Sequence, residues 1–187
     1  FFTIIDECIY CDANAAAIVA YLDAARILHR ADLRTQALGV LEFLWDRCRS
    51  ADEDMDHCFD EGPRVPGLLI DQARMGMALV QAFHATGKAV FIERAKELAK
   101  IIVLRLANSK GGYFDRGQSE LAFFGAPLTL IDQNGVAASF FLRLAAASGE
   151  PAYRDAALRA LGAFSGDFAA YGIDAAPYGH ALSEFFA

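Results

Sequence analysis

The chain has 187 residues, 55% of them hydrophobic, 22% charged and 12% aromatic, a balance that excludes a disordered polar chain and supplies one substantial core. The 24 acidic against 17 basic side chains leave a formal charge of −7, which excludes a surface built to grip nucleic-acid phosphates or anionic lipid. No apolar run reaches the roughly 18 residues that cross a bilayer; Asp23 and Arg26 interrupt the first and Arg143 the last. A soluble chain with no nucleic-acid and no membrane partner is expected. It opens abruptly at Phe1-Phe2-Thr3 with no initiator Met, so a piece of a longer protein is expected.

Apolar residues recur at helical spacing almost throughout, which predicts an all-α fold. The first segment, 13–29, is apolar nearly all round, through Ala15, Ala16, Ala17, Ile18, Val19, Ala20, Tyr21 and Leu22. A second, 32–49, follows a tight link at His29-Arg30-Ala31. The third, 67–86, opens on Leu69-Ile70-Asp71-Gln72-Ala73 and is linked through Gly87-Lys88 to a fourth, 89–106. That fourth segment has one apolar stripe, Phe91, Ala95, Leu98, Ala99 and Ile102, with Glu93, Arg94, Lys96, Glu97 and Lys100 on the remaining surface. The fifth, 133–148, is again apolar all round; Gly149-Glu150-Pro151 leads into the sixth, 151–165, and a weaker apolar tail covers 178–187.

The segments form pairs, and the pairs repeat. Ile70-Asp71-Gln72 matches Ile131-Asp132-Gln133, Asp12-Ala13-Asn14 matches Asp132-Gln133-Asn134, and the interval is 59 residues from Asp12 to Asp71 and 61 from Asp71 to Asp132. Gly87 and Gly149 are each followed at the same offsets by an aromatic, Phe91 or Tyr153, and an alanine, Ala95 or Ala157. Such a period marks a helical-hairpin repeat whose units bury their faces against one another. First helices, apolar all round, are expected to be covered on every side, and second helices to face water. The expected architecture is therefore one domain over 1–187, with hairpins at about 12–49, 67–106 and 132–165 and a tail at 166–187, built as a curved double layer. Links within hairpins are short, whereas those at about 50–66 and 107–131 exceed the usual 2–8 residues. All the long loops then lie at the end that receives the N-termini of the inner helices, where a pocket is expected.

With the Gly111-Gly112-Tyr113-Phe114-Asp115 loop, Asp6-Glu7 followed by Asn14, Leu69 to Ala73, and Asn134-Gly135-Val136-Ala137-Ala138 leading into Leu142-Arg143-Leu144, the sequence resembles the C-terminal helical region of YyaL-type thioredoxin-like-domain proteins. That region is similar in turn to six-hairpin glycosidases and N-acylglucosamine 2-epimerases. The chain departs from the pattern where Asp-x-Lys and Trp-Asn are usual, with Cys8 and Ala13, and where Pro-Ser-Gly-Asn is usual, with Ile131-Asp132-Gln133-Asn134. The resemblance implies half of, or a fragment of, an (α/α)6 toroid that acts on or binds carbohydrate, by glycoside hydrolysis or sugar epimerisation. It implies a sugar or small-molecule ligand and, as partner, a second copy or the remainder of its own toroid. The alternative is a helical-repeat interaction or structural module without catalysis, whose inner surface would be apolar throughout.

On this layout Asp71 and Asp115 are the candidate catalytic carboxylates, one to protonate a leaving oxygen and one to activate water or attack. Asn14, Tyr113, Asp132 and Asn134 are the candidate substrate-binding residues. Competing structural roles stand beside them: Asp12 and Asp132 as helix caps, Asn14 and Asn134 as ties between repeats, and Tyr113, Phe114, Phe123 and Phe124 as loop anchors rather than stacking faces. His57, Cys58, Cys48 and the Cys8/Cys11 pair would make a zinc site only if the first long loop folded back over the start of the chain, and the spacing of the set is poor. No metal and no cofactor is therefore assigned. His29 and His84 fall near the short turns, where a cation eases the helix C-terminus. Four cysteines in so long a chain suit a reducing cytoplasm rather than a disulfide scaffold.

Overall fold

The computed structural model describes residues 7–59, 65–117 and 125–187; Phe123, Phe124 and Asp6 lie outside them. Seven α-helices dominate: α1 (Cys11–Ile27), α2 (Ala31–Arg47), α3 (Leu69–Thr86), α4 (Ala89–Arg105), α5 (Ile131–Ser148), α6 (Pro151–Gly162) and α7 (Ala176–Phe186), the last preceded by a 3₁₀ segment, Phe168–Ala175. Three hairpins in two layers are present as the pattern predicts. No helix among the described residues is long and apolar enough to cross a membrane.

The inner layer runs α1, α3, α5, α7, each packed on the next, while α2, α4 and α6 each lie against their own hairpin partner. The expected tail is thus a fourth inner helix. Glycine makes these approaches possible: a Cβ on Gly76 would meet the Phe140 ring at 2.4 Å, and one on Gly135 would meet the Tyr178 backbone nitrogen at 2.3 Å. Arg143, whose Nη2 donates to Glu184 at 2.8 Å, secures α7 further. The outer layer is tied by ions and a stacked ring: Arg94 bonds Glu42 at 2.7 Å, and both Arg94 and Arg49 lie over Trp45. Only α3 and α5 approach full burial; α1 stands at an edge with Tyr21 42% exposed, so the expectation of cover on every side holds for the middle of the array and not for its end.

Hydrogen bonds from side-chain amides to the backbone define the repeat more sharply than the sequence does. The fourth residue of each of the first three inner helices is an amide whose nitrogen donates to the carbonyl four residues back: Asn14 to Tyr10, Gln72 to Leu68 and Asn134 to Leu130. Gln72, not Asp71, is therefore the partner of Asn14 and Asn134, and the sequence register of the middle repeat moves by one. On the same register His29, Gly87 and Gly149 are equivalent, and all three adopt left-handed φ, at +52°, +70° and +74°. The helix N-caps are Tyr10, Leu68 and Leu130, none with a side-chain cap bond. This corrects the capping role for Asp12 and Asp132, which sit inside the first turn, where a carboxylate still complements the helix dipole.

A side chain in the left-handed region costs about 1 kcal/mol that glycine avoids. His29→Gly is therefore expected to raise stability by about that amount and Gly87→Ala, with open space around its Cβ, to lower it similarly. Gly135→Ala is expected to cost about 1–3 kcal/mol by overpacking and to expose α7 to limited proteolysis. Thermal unfolding of the three variants checks this; an unchanged Gly135→Ala would contradict the close approach of α7.

Candidate functional site

Each long loop folds back across the N-terminus of the inner helix that precedes it. In the first, a two-residue antiparallel ladder joins Ile9–Tyr10 to Cys58–Phe59, a strand pair that helical periodicity could not announce. The loop is held by Gln72, whose buried amide accepts from the Met55 N–H at 2.9 Å and donates to the Met55 carbonyl at 3.0 Å. Asn134 does the same for the second loop, accepting from Tyr113 N–H at 2.8 Å and donating to its carbonyl at 2.9 Å.

These clamps align the two loops. Isolated bridges join Arg49 to Met55 and Ala107 to Tyr113, and two residues beyond each clamped position stand His57 and Asp115. Their backbones make the same bonds: His57 N–H to Val65 O and Asp115 N–H to Leu128 O, both 2.7 Å, while their carbonyls accept from Cys11 at 2.8 Å and Leu69 at 2.9 Å, the first residues of α1 and α3. His57 thus occupies in the first loop the station that Asp115 occupies in the second.

The side chains at these stations do different work. Asp115 is committed to its own loop: Arg116 Nη1 lies 2.6 Å from one carboxylate oxygen and Leu128 N–H donates to the other at 2.7 Å. His57 instead turns its Nδ1 to both oxygens of Asp71, at 3.0 and 3.2 Å. Asp71, in the first turn of α3, is fully buried, and the nearby backbone of Asp12 eases the charge on its carboxylate. Asp12, His57 and Asp71 each present a donor atom so that all three lie within 4.8 Å of one another. The fold-back that a zinc site would need does occur, but among the described residues it gathers these three rather than the cysteines. Burial, reinforced by the Asp71 carboxylate, pushes the Cys11 thiol well above its usual range, which makes it unreactive.

Of the residues singled out from sequence, Asp71 belongs to this cluster. Asn134 spends its whole amide on Tyr113 and Leu130. Tyr113 is buried, its hydroxyl donating to Ala156 O at 3.1 Å and its pKa pushed up to about 12 by burial. Asn14 lines a separate small cleft between α1 and α2, with Ala17, Tyr21, Gln36 and Val40. Asp132 is exposed at the head of α5, at the position that Asp12 occupies on α1. His57 was legible only as part of a zinc set, because its pairing with Asp71 runs through loop geometry that side-chain periodicity does not record.

One helical turn below Asp12 the inner helices share a depression of about 170 Å³ lined by Ala16, Val19, Arg74, Met77 and Val136. Contributions from α1, α3 and α5 to one hollow make the inner surface concave. The lining of the hollow is almost wholly apolar; Arg74, which borders it, is part-exposed, and its Nε is buried and donates to nothing among the described residues. A turn further on, Gln81 donates to Asp23 at 2.7 Å.

No family model and no curated protein matches the chain, whereas solved structures match over nearly all of it. A GH76 α-mannanase of Bacteroides thetaiotaomicron superposes with TM-score 0.79 at 14% identity, covering 97% of this chain and 53% of that one. Cellobiose 2-epimerase from Bacillus thermoamylovorans gives 0.74 at 17%, covering 87% and 46%, and an unsaturated glucuronyl hydrolase specific for heparin gives 0.71 at 14%, covering 99% and 61%. The fold is that of the α/α toroids of the six-hairpin glycosidase type. The chain spans about half the length of the structures it matches.

The hydrogen bond to Asp71 raises the pKa of His57 above its ordinary 6.5, and burial raises that of Asp71 against the pull of His57. Protonated His57 then contributes stability that is complete below about pH 6.5 and lost as pH rises through its folded value, and the buried Asp71, ionising with greater difficulty than in the unfolded chain, acts in the same direction. In chelator-containing buffer the unfolding midpoint is expected to fall between pH 6 and 9, and the fall to shrink in His57→Gln; equal slopes in both proteins would contradict a proton shared by this pair.

Proposed function

We propose that the chain forms half of a carbohydrate-binding toroid, with the sugar seated on the concave inner surface below the long-loop rim. The observation that carries this reading is the apolar hollow shared by three inner helices. Ala16, Val19, Met77 and Val136 suit the C–H face of a sugar ring, and the part-exposed Arg74 at its border suits a hydroxyl oxygen. Asp12 and Asp132, at matching rim positions, accept hydrogen bonds from sugar hydroxyls. The sugar-processing character of the structural neighbours supports the same ligand class by analogy of fold.

Within that group the Gly111 to Asp115 loop and the amide-headed inner helices favour kinship with the YyaL-type helical region. The partner we assign is the remainder of a toroid, supplied by further polypeptide or by a second copy, and the compartment a reducing one. An interaction module that grips an apolar segment is the weaker reading, because Asp12, Arg74 and the Asp23–Gln81 pair interrupt what would be a continuous apolar track.

Calorimetric titration with manno- and gluco-oligosaccharides checks the proposal. Binding by at least one of them is expected, with a loss of about tenfold, on the order of 1.4 kcal/mol, in Arg74→Met and none in Gln36→Ala on the separate α1–α2 cleft. Absence of binding by every sugar, or equal binding by both variants, would overturn it.

A further inference from the structure

Among the described residues, two carboxylates, Asp12 and Asp71, gather round His57 at the long-loop rim. In the second loop the station of Asp115 is followed at once by Arg116, which brings a positive charge to the carboxylate at 2.6 Å. In the first loop the residue after His57 is the uncharged Cys58, while the carboxylate to be balanced, on Asp71, is fully buried. The nearby Arg105 is committed to Asp54 at 2.8 Å. The charges acting most strongly on Asp71 and His57, apart from each other's, come from Asp12, and those on Cys11 come from Asp71, Cys48, Asp12 and Asp56. A buried carboxylate in such company calls for a further cation.

The geometry is that of a ligand set. The 3.0 and 3.2 Å separations between His57 Nδ1 and the Asp71 oxygens match the edge between neighbouring ligands around an ion with bonds of about 2.0–2.1 Å, which is about 2.9 Å in an octahedron and 3.4 Å in a tetrahedron. Asp12 stands within 4.8 Å, more than the roughly 4.1 Å between opposite ligands at such bond lengths, so its carboxylate turns inward to complete the set. The donors are also held in advance of binding. His57 is fixed through its own N–H and carbonyl to Val65 and Cys11, Asp71 sits in the first turn of α3, and Asp12 in that of α1, next to the ladder. The second loop repeats the backbone and not the donors, so loop closure alone does not require the cluster.

We propose that Asp12, His57 and Asp71 bind one divalent transition-metal ion, His57 through Nδ1, at the head of the concave inner surface. An imidazole with two carboxylates is a donor set suited to Zn²⁺, Co²⁺ or Mn²⁺. The ion replaces the proton now shared by His57 and Asp71, and its remaining positions are open to water. Metal binding stands apart from the carbohydrate reading; only the expectation that those open positions take adjacent sugar hydroxyls rests on it.

The test uses the metal-stripped chain without sugar, titrated with Zn²⁺, Co²⁺ and Mn²⁺ by calorimetry and followed by thermal shift. One equivalent of Zn²⁺ or Co²⁺ is expected to bind and raise the unfolding midpoint, with affinity at least tenfold weaker in Asp12→Asn and in His57→Gln. Asp12 is part-exposed and Asn keeps its shape, so its variant keeps the metal-free midpoint near that of the parent and separates loss of metal from loss of fold. The Co²⁺ complex is expected to show no thiolate-to-cobalt absorption, and a Cys8→Ser/Cys58→Ser double variant to bind as the parent does. No binding at millimolar metal, affinity indifferent to both Asp12→Asn and His57→Gln, or binding lost in the cysteine variant would each overturn the proposal. Metal binding without any sugar binding would leave this site standing and remove the carbohydrate reading; the converse would do the opposite.

Discussion

The structure depends on a single device used twice: a buried side-chain amide at the fourth position of an inner helix, closing both backbone hydrogen bonds of one loop residue. Gln72 does this for Met55 and Asn134 for Tyr113. Loops of this length would otherwise bring polar backbone groups into contact with apolar helix ends, and a buried donor or acceptor without a partner costs about 1–3 kcal/mol. By meeting that requirement, the amides let the loops cross the helix N-termini and occupy the rim. The stations of His57 and Asp115, and the enclosure of Asp71, follow from where those two clamps sit.

The same device explains what the sequence disclosed and what it withheld. Helices, their pairing and the inner and outer layers were legible, because burial on all sides or on one stripe leaves a compositional trace. So was the end at which the long loops gather. The register was legible only to within a residue: Asp71 and Asp132 look alike as letters, yet it is Gln72 that performs the task of Asn134. An amide clamp tolerates Asn or Gln, so its identity varies while its position does not, and matching of identical residues slides past it. His57 was hidden for a related reason. The equivalence of His57 with Asp115 is carried by backbone hydrogen bonds, which any residue can make. The fourth inner helix, α7, was read as a tail because its equivalence lies in how Pro177 and Tyr178 meet Gly135 rather than in repeated letters.

The repeats are not equal in backbone ease. Positions that carry Gly87, Gly149 and Gly111 in the later repeats carry His29 and Glu53 in the first, both at positive φ, +52° and +68°. Each side chain there is held against a cost of about 1–2 kcal/mol, so the first hairpin and its loop are the more strained members of the array. Strain of this kind persists only where the surroundings over-determine the conformation. Around Glu53 they do: its N–H donates to Ser50 O, and Ser50 N–H donates to Asp54 O, while Asp54 is gripped by Arg105 through both oxygens. The loop that delivers His57 is thus braced on one side by Arg105 and on the other by the ladder to Ile9 and Tyr10.

That bracing bears on why the ionisable cluster lies in the first repeat and not in the second. Asp115 has a neighbouring arginine and needs nothing from outside its loop, so its station is electrostatically closed. At the His57 station the buried carboxylate belongs to a different element, α3, and its partner is a group that can exchange a proton. The Asp115–Arg116 pair, 2.6 Å apart, involves no imidazole. A histidine facing a buried carboxylate exchanges a proton near neutrality, and its charge decides whether the rim carries an extra negative charge or balances it. Two loops of common backbone design therefore differ in chemistry at a few shared positions, His57 and Cys58 against Asp115 and Arg116 and Asp71 against Gln133: the second is locked by its arginine, and the first remains responsive to protons and to cations that compete with them.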